Sequence, residues 1–169
     1  MKSRYQTTVT VPDLLASLQL DRYLVADLAF KCNTMAVTKK DKLATPTIGI
    51  NFDVKENTED TNLFLLDMII DVNEGQEFMR FETYQIHLHI MGWFYFTAKL
   101  NQETKAKMLA TNASAMLYGV ARTVVANLTG SLGPERHILP ALNLLAVIKA
   151  KTAARPEITK APATAVSKS

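Results

Sequence analysis

The chain has 169 residues, of which 48% are hydrophobic, and a formal net charge of +3. This length suits one domain with a sizeable core, and no apolar run approaches the roughly 18 residues of a membrane-spanning helix. The single cysteine, Cys32, excludes an internal disulfide framework and fits a reducing compartment. Because the first residues also lack the apolar core of a signal peptide, the sequence predicts a cytoplasmic protein.

The excess positive charge lies in the last part of the chain. Residues 151–169 carry four basic residues and one acidic residue, which leaves 15 basic and 15 acidic residues in the first 150. A folded basic patch is therefore not indicated, and nucleic acid is not an expected partner. We expect residues 1–17 to form a flexible arm, residues 18–150 a folded domain, and residues 151–169 a disordered basic tail.

Four segments with the two-residue period of β-strands occupy the first part of the domain. The first is predicted over 22–33, and its expected faces are Leu24, Ala26, Leu28 and Phe30 against Val25, Asp27, Ala29 and Lys31. The second strand begins after Pro46, the third covers 64–72, and the fourth covers 78–98, where Gly92 indicates a bulge or a bend. The connections are too short for parallel crossovers, so the sheet is expected to be antiparallel.

The hydrophobic period changes after the fourth strand. Asn101 is expected to cap a first helix, and a second, longer helix is predicted over 112–128 and ended by Gly130. After a loop, a short helix is predicted from Leu142 to Lys151. The predicted fold is α+β: a four-stranded antiparallel sheet with a long helix and shorter helices packed on one face.

The other face of the fourth strand also carries large apolar side chains. They are Phe81, Met91, Trp93 and Tyr95. One helix cannot cover both faces of such a sheet, and exposed apolar area of this size favours association. We therefore expect either self-association or a binding surface on this exposed sheet face.

Five short sequence segments occur in a recognisable order. They are LQLDRYLVADLAF at 18–30, TPTIGINF at 45–52, GWF at 92–94, YGVAR at 118–122 and LPALNL at 139–144. In this order and spacing they resemble the SecB family of bacterial protein-export chaperones, over about residues 18–150. Within the fourth segment, Gly119 stands where the family pattern has a proline.

The resemblance implies a SecB-like fold assembled as a dimer of dimers, hence a homotetramer. It also implies ATP-independent binding of unfolded polypeptides in apolar grooves, without enzymatic activity, cofactor or metal. By the same resemblance, the groove would lie between the second strand, the long helix and the loop after it. Its expected residues are Ile48, Ile50, Phe52, Leu128, Leu132, Ile138, Leu139 and Leu142. Each of them could equally well be an ordinary core residue.

The exposed sheet face departs from the family pattern where export chaperones dock the SecA motor. Those positions are acidic in the family, and here they are Asp27, Lys31 and His87. The long-range electrostatic attraction between this face and a SecA-type motor should therefore be weak or absent, so docking of such a motor is not expected. Some SecB-like proteins instead hold an unstable antitoxin, which needs no acidic face. A chaperone dedicated to one such client is therefore the alternative to a general export chaperone.

The same sheet face also carries side chains that could bind a metal or act in catalysis. His87 and His89 project to one side, where Asp67 or Asp71 of the third strand could come close. Such a set could bind a metal or act in acid–base catalysis, although a solvated polar face accounts for it equally well.

A hotdog-like enzyme or a small-molecule-binding domain is the alternative from a different class. That fold also wraps an antiparallel sheet around a long helix, and such an enzyme needs an acid or a base near the N-terminus of that helix. Asn112 and Ser114 stand there instead, which disfavours this reading.

Overall fold

The computed structural model describes residues 16–33, 46–74, 84–132 and 136–147. Four strands in this part form one antiparallel sheet in the order β1-β4-β3-β2. Their bounds are β1 Leu18–Cys32, β2 Ile48–Glu56, β3 Leu63–Val72 and β4 Tyr84–Phe96. The predicted fold class is confirmed. The predicted arm up to residue 15 and the predicted tail from residue 151 lie outside the described residues, so both remain predictions.

The alternation predicted for β2, β3 and β4 is confirmed. The helix-facing side chains of β3 and β4 form the core, because helices cover this face of the sheet. The buried members are Phe64, Leu66, Met68, Ile70, Val72, Tyr84, Ile86, Leu88, Ile90, Phe94 and Phe96. The part of the predicted fourth strand that precedes Tyr84 lies outside the described residues.

The faces of Leu24 and Val25 on β1 differ from the prediction, because two irregularities interrupt the pairing with β4. From Asp27 to Lys31 the faces are as predicted, since Leu28 and Phe30 are opposite the core residues Leu88 and Ile86. Between Leu20 and Arg22, and again between Val25 and Asp27, the register gains one residue on β1. Each extra residue reverses the alternation beyond it. Leu24 is consequently opposite Met91 on the outer face, whereas Val25 is opposite Ile90 and packs against the core.

Gly92 is not a bulge, contrary to one of the two predictions made for it. It pairs regularly with Tyr23 on β1 and with Leu66 on β3. A Cβ at this position would lie 2.9 Å from Phe94 Cε2 and 3.0 Å from Leu117 Cδ1. Glycine is therefore required here because the long helix approaches the sheet closely.

The two predicted helices form one continuous helical run. It consists of α1 (Gln102–Met108), a π-helical segment (Leu109–Ala113) and α2 (Ser114–Leu132). As predicted, Asn101 caps the start, where its side chain accepts a hydrogen bond from the Thr104 amide at 2.8 Å. Gly130 does not end the helix, because its φ is negative and α2 continues to Leu132. No helix in the described part is long and apolar enough to cross a membrane.

The predicted final helix begins slightly later than expected. Residues 144–147 are helical, and the Asn143 side chain accepts a hydrogen bond from the Ala146 amide at 3.1 Å. An asparagine in this position is a favourable cap, which explains why the helix begins after Asn143 and not at Leu142. The predicted end at Lys151 lies outside the described residues.

Lys105 fixes the start of the helical run to the turn between β2 and β3. Its Nζ donates to the Thr61 carbonyl at 3.1 Å and to Asn62 Oδ1 at 2.9 Å. The ammonium also lies 5.9 Å and 5.7 Å from the ring centres of Phe64 and Phe96. These contacts compensate the burial of the charge, since Lys105 is only 6% exposed.

Asn73 joins the ends of three strands. It has a φ of 53°, a conformation that asparagine tolerates better than most residues. Its Oδ1 accepts from the Thr47 amide at 2.9 Å, and its Nδ2 donates to the Tyr84 carbonyl at 2.8 Å. Asn73 therefore sets the starts of β2 and β4 beside the end of β3.

Candidate functional site

The predicted groove residues of β2 lie on the helix-facing side of an edge strand. Ile48, Ile50 and Phe52 are half-buried and pack against the edge of the core. They remain partly accessible because β2 has a neighbouring strand only on the β3 side. Leu142, in the segment after α2, is also half-buried and packs against the same core.

The other four predicted groove residues differ widely in exposure. Leu128 is half-buried near the end of α2, whereas Leu132 is 66% exposed and Ile138 is 55% exposed. Leu139 is fully buried and belongs to the core cluster. Leu139 therefore anchors the segment after α2 in the core and does not line an accessible surface.

Hydrogen bonds from α2 hold the segment that carries Ile138 and Leu142. Arg122 Nε donates to the Leu139 carbonyl, and the Tyr118 hydroxyl donates to the Pro140 carbonyl, both at 2.8 Å. Burial raises the pKa of Tyr118 despite the opposing effect of Arg122, so its hydroxyl keeps the donated proton.

A third attachment joins Thr129 to His137. The His137 amide donates to Thr129 Oγ1 at 2.8 Å, and Thr129 Oγ1 lies 3.2 Å from the His137 carbonyl oxygen. The imidazole packs against Tyr84, with the ring centres 5.8 Å apart, and its Nε2 is buried without a hydrogen-bond partner. Burial lowers the pKa of His137, because the charged imidazolium would lose its hydration there.

A pocket of about 270 Å³ lies at the opposite end of β2. Its lining residues are Phe52, Val54, Glu56, Phe64, Gln102, Lys105, Ala106, Leu109 and Ala110. Only Phe52 was in the predicted groove. Sequence reasoning missed the others because half of the lining comes from α1 and the π-helical segment. The alternation of β2 and β3 did mark Val54 and Phe64 as helix-facing, but it gave no sign that α1 and the π-helical segment complete the pocket.

The outer face of the sheet brings the predicted histidine and aspartate side chains together. His87 Nδ1 lies 2.6 Å from Asp71 Oδ1, and its Nε2 lies 3.9 Å from Asp27 Oδ2. His89 Nε2 lies 2.6 Å from Asp67 Oδ1. The expectation that these groups meet is thus confirmed, and each imidazole has a carboxylate partner that satisfies it on the surface.

This outer-face network does not form a metal site. Within the described residues, no group of three or more His, Cys, Asp or Glu side chains is arranged to hold a metal ion. Lys31 lies on the same face beside a shallow pocket of about 180 Å³ that also contacts His87 and Asp71. Trp93 lies further along β4, with Arg22 5.0 Å from its ring centre.

The two residues expected near the N-terminus of the long helix, where a hotdog-like enzyme needs an acid or a base, lie elsewhere. Asn112 and Ser114 lie inside the continuous helical run, and not at a helix N-terminus. Ser114 is fully buried, with its hydroxyl 3.4 Å from the Leu109 carbonyl oxygen. Neither residue can therefore use the electrostatic field of a helix N-terminus for catalysis.

Comparison with known proteins gives a consistent assignment. The sequence matches the model of the family described as preprotein translocase subunit SecB over residues 13–155. An uncharacterised protein of Methanocaldococcus jannaschii is 23% identical over 129 residues, which cover 76% of this chain and 80% of that protein.

Two solved structures are similar to this one. The Mycobacterium tuberculosis SecB-like chaperone Rv1957, in complex with a ChAD peptide from the Rv1956 HigA1 antitoxin, aligns with a TM-score of 0.55. The identity is 16%, and the alignment covers 78% of this chain and 95% of Rv1957. A Streptococcus agalactiae protein of unknown function has a TM-score of 0.45 and 9% identity, over 74% of this chain and 97% of its own. Since the family model covers most of the sequence, this chain belongs to the SecB family, a family of chaperones.

Proposed function

We propose that this chain is an ATP-independent holdase that binds non-native polypeptides on the helix side of its sheet. The observation that carries the proposal is the exposed aliphatic surface at the end of α2 and after it. Leu132, Ile138 and Leu145 are each more than half exposed. Exposed apolar area is characteristic of surfaces that bind other polypeptides.

The proposed client track runs along β2. This edge strand has nine residues and is therefore about 30 Å long. Its half-buried side chains lead from the pocket beside Phe52 and Val54 to Ile48. An extended polypeptide could lie along this line and place apolar side chains against it. Aliphatic surfaces of this kind select clients weakly, because they accommodate many side-chain shapes.

The proposed assembly is a homotetramer, built as a dimer of dimers. Apolar side chains remain accessible on the free side of α2 and on the helix side of β1. Met116 is 38% exposed, Tyr23 is 51% exposed and Leu28 is 37% exposed. A second copy would cover them. Light scattering during size-exclusion chromatography measures the mass directly, and a monomer at micromolar concentration would contradict this part of the proposal.

A chaperone dedicated to one client is the second candidate. It is favoured by the similarity to Rv1957, which was solved with an antitoxin peptide bound. The outer face also favours a dedicated chaperone. Lys31, together with His87 in its pair with Asp71, interrupts the acidic pattern expected for a motor-docking surface. General export and service to a single client would use the same apolar track.

The test is suppression of aggregation in the absence of ATP. A chemically unfolded client is diluted into buffer with and without the chain, and light scattering is recorded. The substitutions Leu132→Asp and Ile138→Asp alter exposed side chains, so these variants are expected to fold. We expect both to weaken suppression. Ile50→Asp and Leu142→Asp extend the test to half-buried positions, provided that circular dichroism shows the variants folded.

Two matched controls add the same charge beside the track. Ser131→Asp neighbours Leu132, and Thr47→Asp lies just before β2 on an exposed side chain. Both are expected to suppress aggregation like the unmodified chain. If several unrelated clients aggregate unhindered but one co-purified partner is held, the dedicated chaperone is correct. If no polypeptide is bound, the holdase proposal is wrong.

A further inference from the structure

The imidazole of His137 occupies an unusual position for a polar ring. Its Nε2 is buried and has no hydrogen-bond partner, which is rare for polar atoms inside proteins. The imidazole packs against the ring of Tyr84, and Tyr84 also contacts Phe30, with those two ring centres 5.6 Å apart. The neutral imidazole fits these aromatic surroundings. A proton on the ring, however, would place a charge where no acceptor meets it.

The titratable and charged groups around His137 do not compensate such a charge. β4 contributes the phenol of Tyr84, and β1 contributes the thiol of Cys32, which is opposite Tyr84 in the strand pairing. α2 contributes the Thr129 hydroxyl, which bonds to the backbone of His137. Arg136 adjoins His137 in the chain and carries a like charge. In the described part of the chain, the histidines with a carboxylate within 4 Å are those of the outer face, and His137 is not among them.

Of the three attachments that hold the segment after α2, only the one at His137 can respond to a proton near neutral pH. Arg122, which donates to the Leu139 carbonyl, stays charged throughout this range. Burial raises the pKa of Tyr118, so its bond to the Pro140 carbonyl also persists. Protonation of His137 therefore loosens the start of the segment while the two later attachments still hold it. The expected change is a local opening and not a loss of the fold.

The start of this segment lies at the Ile48 end of the proposed client track. Asn73 bonds both to the Thr47 amide and to the Tyr84 carbonyl, so the start of β2 and the ring that His137 covers are at the same end of the sheet. Tyr84 is only 5% exposed in this state. Departure of the imidazole uncovers one side of the Tyr84 ring, close to the aliphatic side chains of the track.

We propose that His137 is a proton-sensitive latch on the client surface, an inference that rests on the proposed holdase function. When the imidazole binds a proton, the ring leaves Tyr84, residues 136–138 open, and the track gains aromatic surface at its Ile48 end. When the proton is lost, the neutral ring closes on Tyr84 again. Mild acid therefore increases client binding, because the open state offers more apolar surface than the closed state.

The latch is tested first without a client, by NMR of the full chain between about pH 7.5 and 5. The chain has three histidines, so their imidazole Cε1–H signals can be assigned by substitution. The δ1-methyl signal of Ile138 reports on the segment, and that of Ile90, which is fully buried in the core, is the reference. We expect the Ile138 signal to shift with the same midpoint as His137, below about 6.5 because burial lowers the pKa of His137. The Ile90 signal should stay unchanged.

Two variants remove the group that binds the proton. His137→Phe keeps an aromatic ring against Tyr84, and His137→Gln provides a second side chain that does not titrate. Both variants should abolish the pH-dependent shift of the Ile138 signal. The matched control is His89→Phe, which makes the same change on the outer face and should leave the Ile138 shift intact.

The second measurement adds a client. The affinity for a fluorescently labelled, permanently unfolded polypeptide is measured at about pH 7.5 and about pH 5.5, within the range where histidine titrates. We expect the increase in affinity to be about fivefold larger in the unmodified chain than in His137→Phe, a coupling at the low end of those between two sites in one protein. The comparison between the two chains removes any effect of pH on the client itself.

Three NMR results would overturn the proposal. They are an Ile138 signal that does not move while His137 titrates, a shift that persists in both variants of His137, and an Ile90 signal that moves in step with Ile138, which would indicate global unfolding. Equal changes of client affinity in the unmodified chain and in His137→Phe would exclude the latch as a regulator of binding. If no client binds at either pH although Ile138 follows His137, the latch is supported and the holdase proposal is the one that fails.

Discussion

Arg122 Nε lies 2.8 Å from the carbonyl oxygen of Leu139, so the middle of α2 holds the segment that follows it. Leu139 itself is fully buried, whereas its neighbour Ile138 is more than half exposed. The bond therefore fixes a buried point from which an exposed aliphatic side chain projects. The stability of this segment and the presentation of the proposed client surface depend on the same hydrogen bond.

The substitution Arg122→Met tests this attachment. Methionine retains much of the aliphatic length but removes the donor, which leaves a carbonyl next to a buried side chain without its partner. We expect the free energy of unfolding to fall by about 1–2 kcal/mol, measured by urea titration. Thr123→Ala is the control, because this exposed neighbour bonds only to Gly119 within its own helix. Equal losses in both variants would show that the attachment contributes nothing.

Two glycines should respond to alanine in opposite directions. At Gly119, in the interior of α2, a Cβ would meet nothing within 4 Å, so Gly119→Ala should stabilise by about 0.5–1 kcal/mol. At Gly92, a Cβ would meet Phe94 and Leu117, both fully buried, so Gly92→Ala should destabilise by about 1–3 kcal/mol. Thermal and urea unfolding of both variants check the signs. A stabilised Gly92 variant would contradict the close helix–sheet approach.

The sequence predicted the strands β2 to β4 well, because each has one buried face and no inserted residue. In β1 the prediction holds from Asp27 to Lys31 but is wrong between the two irregularities, where the faces of Leu24 and Val25 are exchanged. Nothing in the local composition marks these positions, since they arise from pairing with β4. The π-helical segment was missed for a similar reason. It joins two helices whose separate patterns are visible, but the continuous backbone between them depends on tertiary packing.

The candidate site was predictable to a lesser extent. The alternation of β2 correctly put Ile48, Ile50 and Phe52 on the helix side. In the segment after α2 there is no period to read, so sequence could not separate buried Leu139 from exposed Ile138. The pocket near Leu109 was missed because its lining combines a strand with two parts of the helical run.

His137 should make the stability of the fold depend on pH. Burial lowers its pKa in the folded state, so the unfolded chain binds the proton more readily, with a pKa of about 6.5. The contribution of the neutral side chain is complete above that pH and is lost as the pH falls towards the folded-state pKa. Urea titrations at several pH values between about 7.5 and 5 measure this dependence. In His137→Gln the decrease should be smaller, and an unchanged pH dependence in that variant would exclude His137 as the cause.

Restoring acidity to the outer face should strengthen docking of a partner with a basic surface, such as a SecA-type motor. Lys31→Glu replaces an exposed cation on that face, and we expect it to raise the affinity, measured by titration calorimetry at low and physiological salt. His87→Glu should not help in the same way. It would add a third carboxylate beside Asp71 and Asp27, at the position where the imidazole now lies 2.6 Å and 3.9 Å from their oxygens. Repulsion should therefore lower the thermal stability of that variant. An affinity that does not change in Lys31→Glu would mean that the charge reversal at position 31 is not what weakens docking.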